Sequence, residues 1–80
     1  MARADKTLAR MRENPQDNWR IAQLETVAKR YGVNVRKPSG SHVIFEHPEA
    51  TRSPTVPARR PIKPVYIRSF VAFIDEIRNE

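Results

Sequence analysis

The chain has no cysteine. That excludes a disulfide framework and a thiolate metal site, and it permits a reducing compartment; the cytoplasm is the expected location. No apolar run approaches the ~18 residues that span a membrane, so no membrane partner is expected. The first residues, Met1-Ala2-Arg3-Ala4-Asp5-Lys6, lead into charge and not into an apolar signal segment. There is no internal repeat and no low-complexity tract. Eighty residues make one small domain, able to bury a single modest core but not to wall a substrate cavity on all sides.

Acids are the minority. Nine Asp and Glu stand against fifteen Lys and Arg, a formal net charge of +6. The excess is uneven. From Arg36 to Arg68 seven cations face Glu46 and Glu49, a local +5; from Ser69 onward Arg78 faces Asp75, Glu76 and Glu80, a local −2. A positive field in the middle of a chain favours a polyanion such as nucleic acid.

The order of elements follows from periodicity. Asp5 to Glu13 has good helix formers, with Leu8 and Met11 as its sizeable apolar pair, and Asn14-Pro15 breaks it. Residues 1–18 are therefore expected to be a helical extension outside the main fold, and residues 19–80 the domain proper. Ile21, Leu24, Val27, Ala28 and Tyr31 recur at helical spacing, with Lys29 and Arg30 in the last turn and Gly32 just beyond. Trp19 is placed to pack under the first turn. Three strands follow, Val33 to Lys37, Val43 to Glu46 and the proline-flanked Thr55-Val56, which suits an edge. A final helix opens near Pro64, and Ile67, Phe70, Val71, Ile74 and Ile77 form its apolar stripe. The fold class is α+β: both helices of the α-β-β-β-α order cover one face of a three-stranded antiparallel sheet. Alternation sends Val33, Val35, Val43 and Phe45 to the helices and Asn34, Arg36, His42, Ile44 and Glu46 to the open face, provided the strands run without a bulge.

The chemistry centres on Gly40-Ser41-His42. A tight turn delivers a histidine, the side chain that exchanges protons near neutral pH, to the start of a strand with cations nearby. RNA carries its own nucleophile, the 2′-hydroxyl. Cleavage needs a base, for which His42 is the candidate, and cations for the phosphorane, for which Arg36, Lys37, Arg59, Arg60 and Lys63 are candidates. Ser41, beside the histidine, joins them as an RNA contact. Ser41 lacks the separate base and orienting acid of a serine nucleophile, and its hydroxyl suits the local backbone. Gly40 is expected to take a positive φ in the turn. His47 has no third ligand to form a metal site with His42, so neither metal nor cofactor is expected. Tyr66 can be read as a proton donor but packs more naturally; Trp19 and Phe45 can stack bases but suit the core better.

These residues resemble the HicA family of bacterial toxin ribonucleases. The segments that carry the resemblance are Gly40-Ser41-His42, Val56-Pro57 and Ile62-Lys63-Pro64-Val65-Tyr66-Ile67-Arg68, with the helix ending at Tyr31-Gly32. They cover roughly Trp19 to Asp75. The resemblance implies a fold like a double-stranded-RNA-binding domain, cleavage of mRNA, and neutralisation by a HicB-type antitoxin. His42 matches the catalytic histidine, and Gly40 and Ser41 the turn that presents it. Two positions depart from the pattern: many members have a second histidine where this chain has Val43, and another after the Val-Pro pair where it has Ala58-Arg59. Residues 1–18 have no counterpart in the shortest members. The alternatives are an RNA-binding module of the same fold that does not cleave, and an interaction subunit for an acidic protein.

Overall fold

The computed structural model describes residues 3–78; the ends of the two expected segments, residues 1, 2, 79 and 80, lie outside it. The elements run α1 (Arg3–Glu13), α2 (Ile21–Arg30), β1 (Asn34–Ser39), β2 (His42–Glu46), β3 (Thr55–Pro57) and α3 (Pro64–Arg78). The α+β class and the three-stranded antiparallel sheet, in the order β1-β2-β3, follow the sequence expectation. Among the described residues no helix is long and apolar enough to cross a membrane.

The extension is the main correction. Residues 3–18 are not outside the domain. Ala4, Leu8 and Met11 are buried in the same core as the residues of α2, α3 and the sheet, and α1 packs against both α2 and α3. The stripe at i, i+4 and i+7 is complete only when the small Ala4 is counted with the two large residues. Polar contacts hold the same helix. Arg12 donates two hydrogen bonds to Asp75 of α3, at 2.8 and 2.7 Å. The Tyr31 hydroxyl donates to Asp5. After Asn14 ends the helix, its carbonyl accepts the indole N–H of Trp19 at 2.7 Å.

The ends of α2 are set locally. The Arg20 N–H donates to the Gln23 Oε1 at 2.9 Å, which satisfies one free donor at the start. At the other end Gly32 has φ +70°. Its N–H reaches the Lys29 carbonyl at 3.3 Å and the Val33 N–H the Ala28 carbonyl at 2.9 Å. That is a Schellman stop, with Val33 and Ala28 in apolar company. In α3 the expected stripe of Ile67, Phe70, Val71, Ile74 and Ile77 is buried, and Phe73 is buried with it. One turn after Phe73, Glu76 accepts the Thr51 N–H at 2.7 Å and pairs with Arg52 at 2.9 Å. The loop after β2 is thus drawn against that flank of α3.

The sheet follows the expected alternation over its paired centre. Val35 pairs with Phe45 and Arg36 with Ile44 across β1 and β2, and Val43 pairs with Val56 across β2 and β3. Val43, Phe45 and Val56 are buried, and the Phe45 ring meets Phe70 edge-on at 4.9 Å. The assumption of unbulged strands fails between Arg36 and Ser39, where the register shifts. β1 carries one extra residue there, so Ser39 and not Pro38 lies opposite His42. Proline has no N–H to give the ladder, and an irregularity in an edge strand accommodates it.

Candidate functional site

Gly40 and Ser41 form a two-residue connection between Ser39 and His42. Contrary to expectation, Gly40 does not take a positive φ; Gly32 is the glycine that does. A side chain at Gly40 would meet no atom within 4 Å. The turn is therefore not one of the left-handed hairpin types that match strand twist, and the irregularity at Lys37-Pro38 lies beside it.

The shifted register has a direct effect on the histidine. Ser39, His42 and Pro57 line up as one row across the three strands. His42 is exposed at the end of the central strand. Its Nδ1 lies 3.4 Å from Ser39 Oγ and 3.3 Å from Ser41 Oγ, long contacts in which either partner can donate. When Nδ1 carries the proton, Nε2 has a free lone pair and is the atom able to accept a proton.

The candidate cations divide into two groups. Arg36 lies opposite Ile44, on the far side of the register shift from the Ser39–His42 pair, and its guanidinium turns to Glu46, at 3.1 Å. That contact holds the Glu46 carboxyl below its ordinary pKa. Lys37 pairs with Glu25 of α2 at 3.0 Å. Both are tied to acids. Arg59, Arg60 and Lys63 are exposed and make no ion pair among the described residues. Their loop is anchored at both ends. The Ala58 N–H donates to the Ser41 carbonyl at 2.9 Å, and the Ile62 N–H to the Trp19 carbonyl at 2.9 Å. The first anchor sets the start of the Arg59-Arg60 loop directly beside the histidine turn.

A groove of about 540 Å³ lies at this end of the sheet. His42, Ser39, Gly40 and Lys37 line it from the hairpin, Ala58 from the basic loop, and Ile21 and Glu25 from α2. The sequence reading did not single out Glu25. The signal was present: Glu25 stands one turn beyond Ile21, on the flank of α2 next to its buried stripe.

The remaining candidates have structural roles. His47 accepts the Glu49 N–H on Nδ1 at 3.0 Å, a turn contact. Among the described residues no three potential metal-ligating side chains gather into one group. Trp19 and Phe45 are buried, so neither offers a face to a base. Tyr66 is half-buried against the core. No protein-family model, curated protein or solved structure matches the chain.

Proposed function

We propose that the chain is a metal-independent endoribonuclease of the HicA toxin type, an mRNA interferase, with His42 as its base. One observation carries the reading: an exposed histidine on the central strand sits in a groove, and a loop whose arginines make no ion pair among the described residues starts beside the same turn. The helices over one face of a three-stranded antiparallel sheet are also what a domain like the double-stranded-RNA-binding fold requires. In that comparison α1 is an addition that completes the core.

In this mechanism His42 Nε2 takes the proton of a 2′-hydroxyl. The oxygen attacks the adjacent phosphorus, the bond to the 5′-oxygen breaks, and that oxygen leaves with a proton from water. The products are a 2′,3′-cyclic phosphate and a free 5′-hydroxyl. Arg59, Arg60 and Lys63 offset the charge of the phosphorane, and the open groove fixes the approach. A HicB-type antitoxin is the proposed protein partner and the cytoplasm the proposed location.

The test is RNA incubated with the protein in a chelator, with end groups read by mass spectrometry. Wild type is expected to leave cyclic phosphate ends and to spare 2′-methoxy RNA; His42→Ala is expected to bind RNA without cutting it. Wild-type rates from the pure His42→Ala protein would overturn the assignment. A second reading, an RNA-binding module without turnover, is favoured by the side-chain partners of His42, which among the described residues are two serine hydroxyls and no carboxylate. It predicts RNA bound and uncut by both proteins.

A further inference from the structure

We propose that the groove between α1 and α2 is a second RNA-backbone contact, reached by a strand that leaves His42 and crosses α2. The inference rests on the ribonuclease reading above and extends its footprint. The groove has a volume of about 470 Å³ and is lined by Arg3, Lys6, Thr7, Arg10, Gln23 and Thr26. No acid lines it.

The cations are ordered. Arg3, Lys6 and Arg10 stand at i, i+3 and i+7 on α1, so they share a flank and rise by about 4.5 and 6 Å along the axis. Arg3 and Lys6 make no ion pair among the described residues. Arg10 reaches Asp17 at 3.5 Å and lies over the Trp19 ring.

The neutral groups separate RNA from an acidic protein. Thr7 donates its hydroxyl proton to the Arg3 carbonyl at 3.1 Å, and Thr26 donates its own to the Ala22 carbonyl at 3.0 Å. With those protons committed, both oxygens are acceptors. Gln23 Oε1 is occupied by the Arg20 N–H, which leaves the Gln23 amide NH₂ as a donor. The groove therefore offers cations and a donor for anionic oxygens, and acceptors for hydroxyl donors. RNA repeats an anionic phosphate and a 2′-hydroxyl at every nucleotide; a carboxylate-rich segment matches only the cations.

The two grooves flank one helix. Ile21 and Glu25 line the His42 groove, and Gln23 and Thr26 line this one. The buried Leu24, Val27 and Ala28 lie between them on the core side, and the exposed Ala22 and Lys29 on the crest. A helix about 10–12 Å across is the whole separation. Ala22 keeps that crest low, and Lys29 adds a cation to it.

The test measures binding of a fluorescent ~20-nucleotide single-stranded RNA over a range of salt, in the His42→Ala background. Arg3→Gln with Lys6→Gln is expected to lower the slope of log affinity against log salt by about 1.4, at ~0.7 per lost phosphate contact. Arg68→Gln, an exposed cation on α3 that lines neither groove, controls for net charge. An unchanged slope in the double variant, or an equal loss per charge at Arg68, would overturn the inference. If the double variant loses affinity only for an acidic protein partner, the groove is a protein face and the inference fails. If His42→Ala itself binds no RNA, the underlying RNA reading fails first, and the two failures are told apart.

Discussion

Arg12 on α1 and Asp75 on α3 meet through two parallel hydrogen bonds although 63 residues separate them in the chain. The Arg12 guanidinium holds the Asp75 carboxyl below its ordinary pKa. A depressed carboxylate pKa means that the unfolded chain binds more protons in that range, so stability rises with pH through it. The contribution of the pair is complete above about pH 4 and is lost as pH falls through the lowered Asp75 value. The two side chains remain 49% and 35% exposed, which limits the pair to roughly 0.5–1 kcal/mol. Arg12→Ala is expected to lose that amount near neutral pH and to flatten the acid limb of stability. Thermal unfolding of both proteins as a function of pH checks it.

Leu8 gives a larger effect. It is 1% exposed within the common core. Leu8→Ala is expected to cost about 2–5 kcal/mol, the range for truncating a buried leucine. Deleting residues 1–18 is expected to abolish a cooperative transition, because the flanks of α2 and α3 that α1 covers would face water. Urea unfolding measures both. A truncated protein that melts cooperatively near the wild-type midpoint would restore the extension to the outside of the fold.

The sequence disclosed what depends on local rules. The stripes of α2 and α3 and the Gly32 stop follow from spacing and from one residue's conformational freedom, and they appear as read. The docking of α1 did not disclose itself. Its apolar face contains only two large residues, and its polar anchors, Asp5 to Tyr31 and Arg12 to Asp75, join positions distant in sequence. At the candidate site, the delivery of His42 by a turn to the exposed start of a strand was legible in the sequence. The partners of Arg36 and Lys37 were not. Glu25 comes from another element, and Glu46 competes on the same face for a guanidinium that the sequence left free to reach phosphate.

The two glycines should respond oppositely to alanine. At Gly32, φ is +70°, and a Cβ there is expected to cost about 1–2 kcal/mol. At Gly40 the backbone is not in that region and the space is open. Gly40→Ala is expected to be neutral or to stabilise by about 0.4–1 kcal/mol, through a less flexible unfolded chain. Denaturant midpoints distinguish them. A folded Gly40→Ala protein with weakened RNA affinity would place the RNA against that turn.

The cations should rank by their present partners. Arg59→Ala with Arg60→Ala is expected to reduce the salt slope of RNA binding by about 1.4. Arg36→Ala is expected to reduce it less, because that guanidinium already faces Glu46. Glu46→Gln should strengthen RNA binding, since it removes an acid from the open face and releases Arg36. Weaker binding by Glu46→Gln would show that the ion pair presents Arg36 to RNA and does not withhold it.

Trp19 is the chain's one tryptophan. It joins three segments: its indole N–H donates to the turn after α1, its carbonyl receives the Ile62 N–H from the basic loop, and the Arg10 guanidinium lies 5.4 Å from its ring centroid. The protein thus contains an intrinsic optical reporter at the joint between its core and its basic surface. Emission from this indole follows the unfolding of α1 together with the rest of the domain. A polyanion that draws Arg10 from the ring alters the same signal with the core intact, so stability and occupancy can be followed in unlabelled protein.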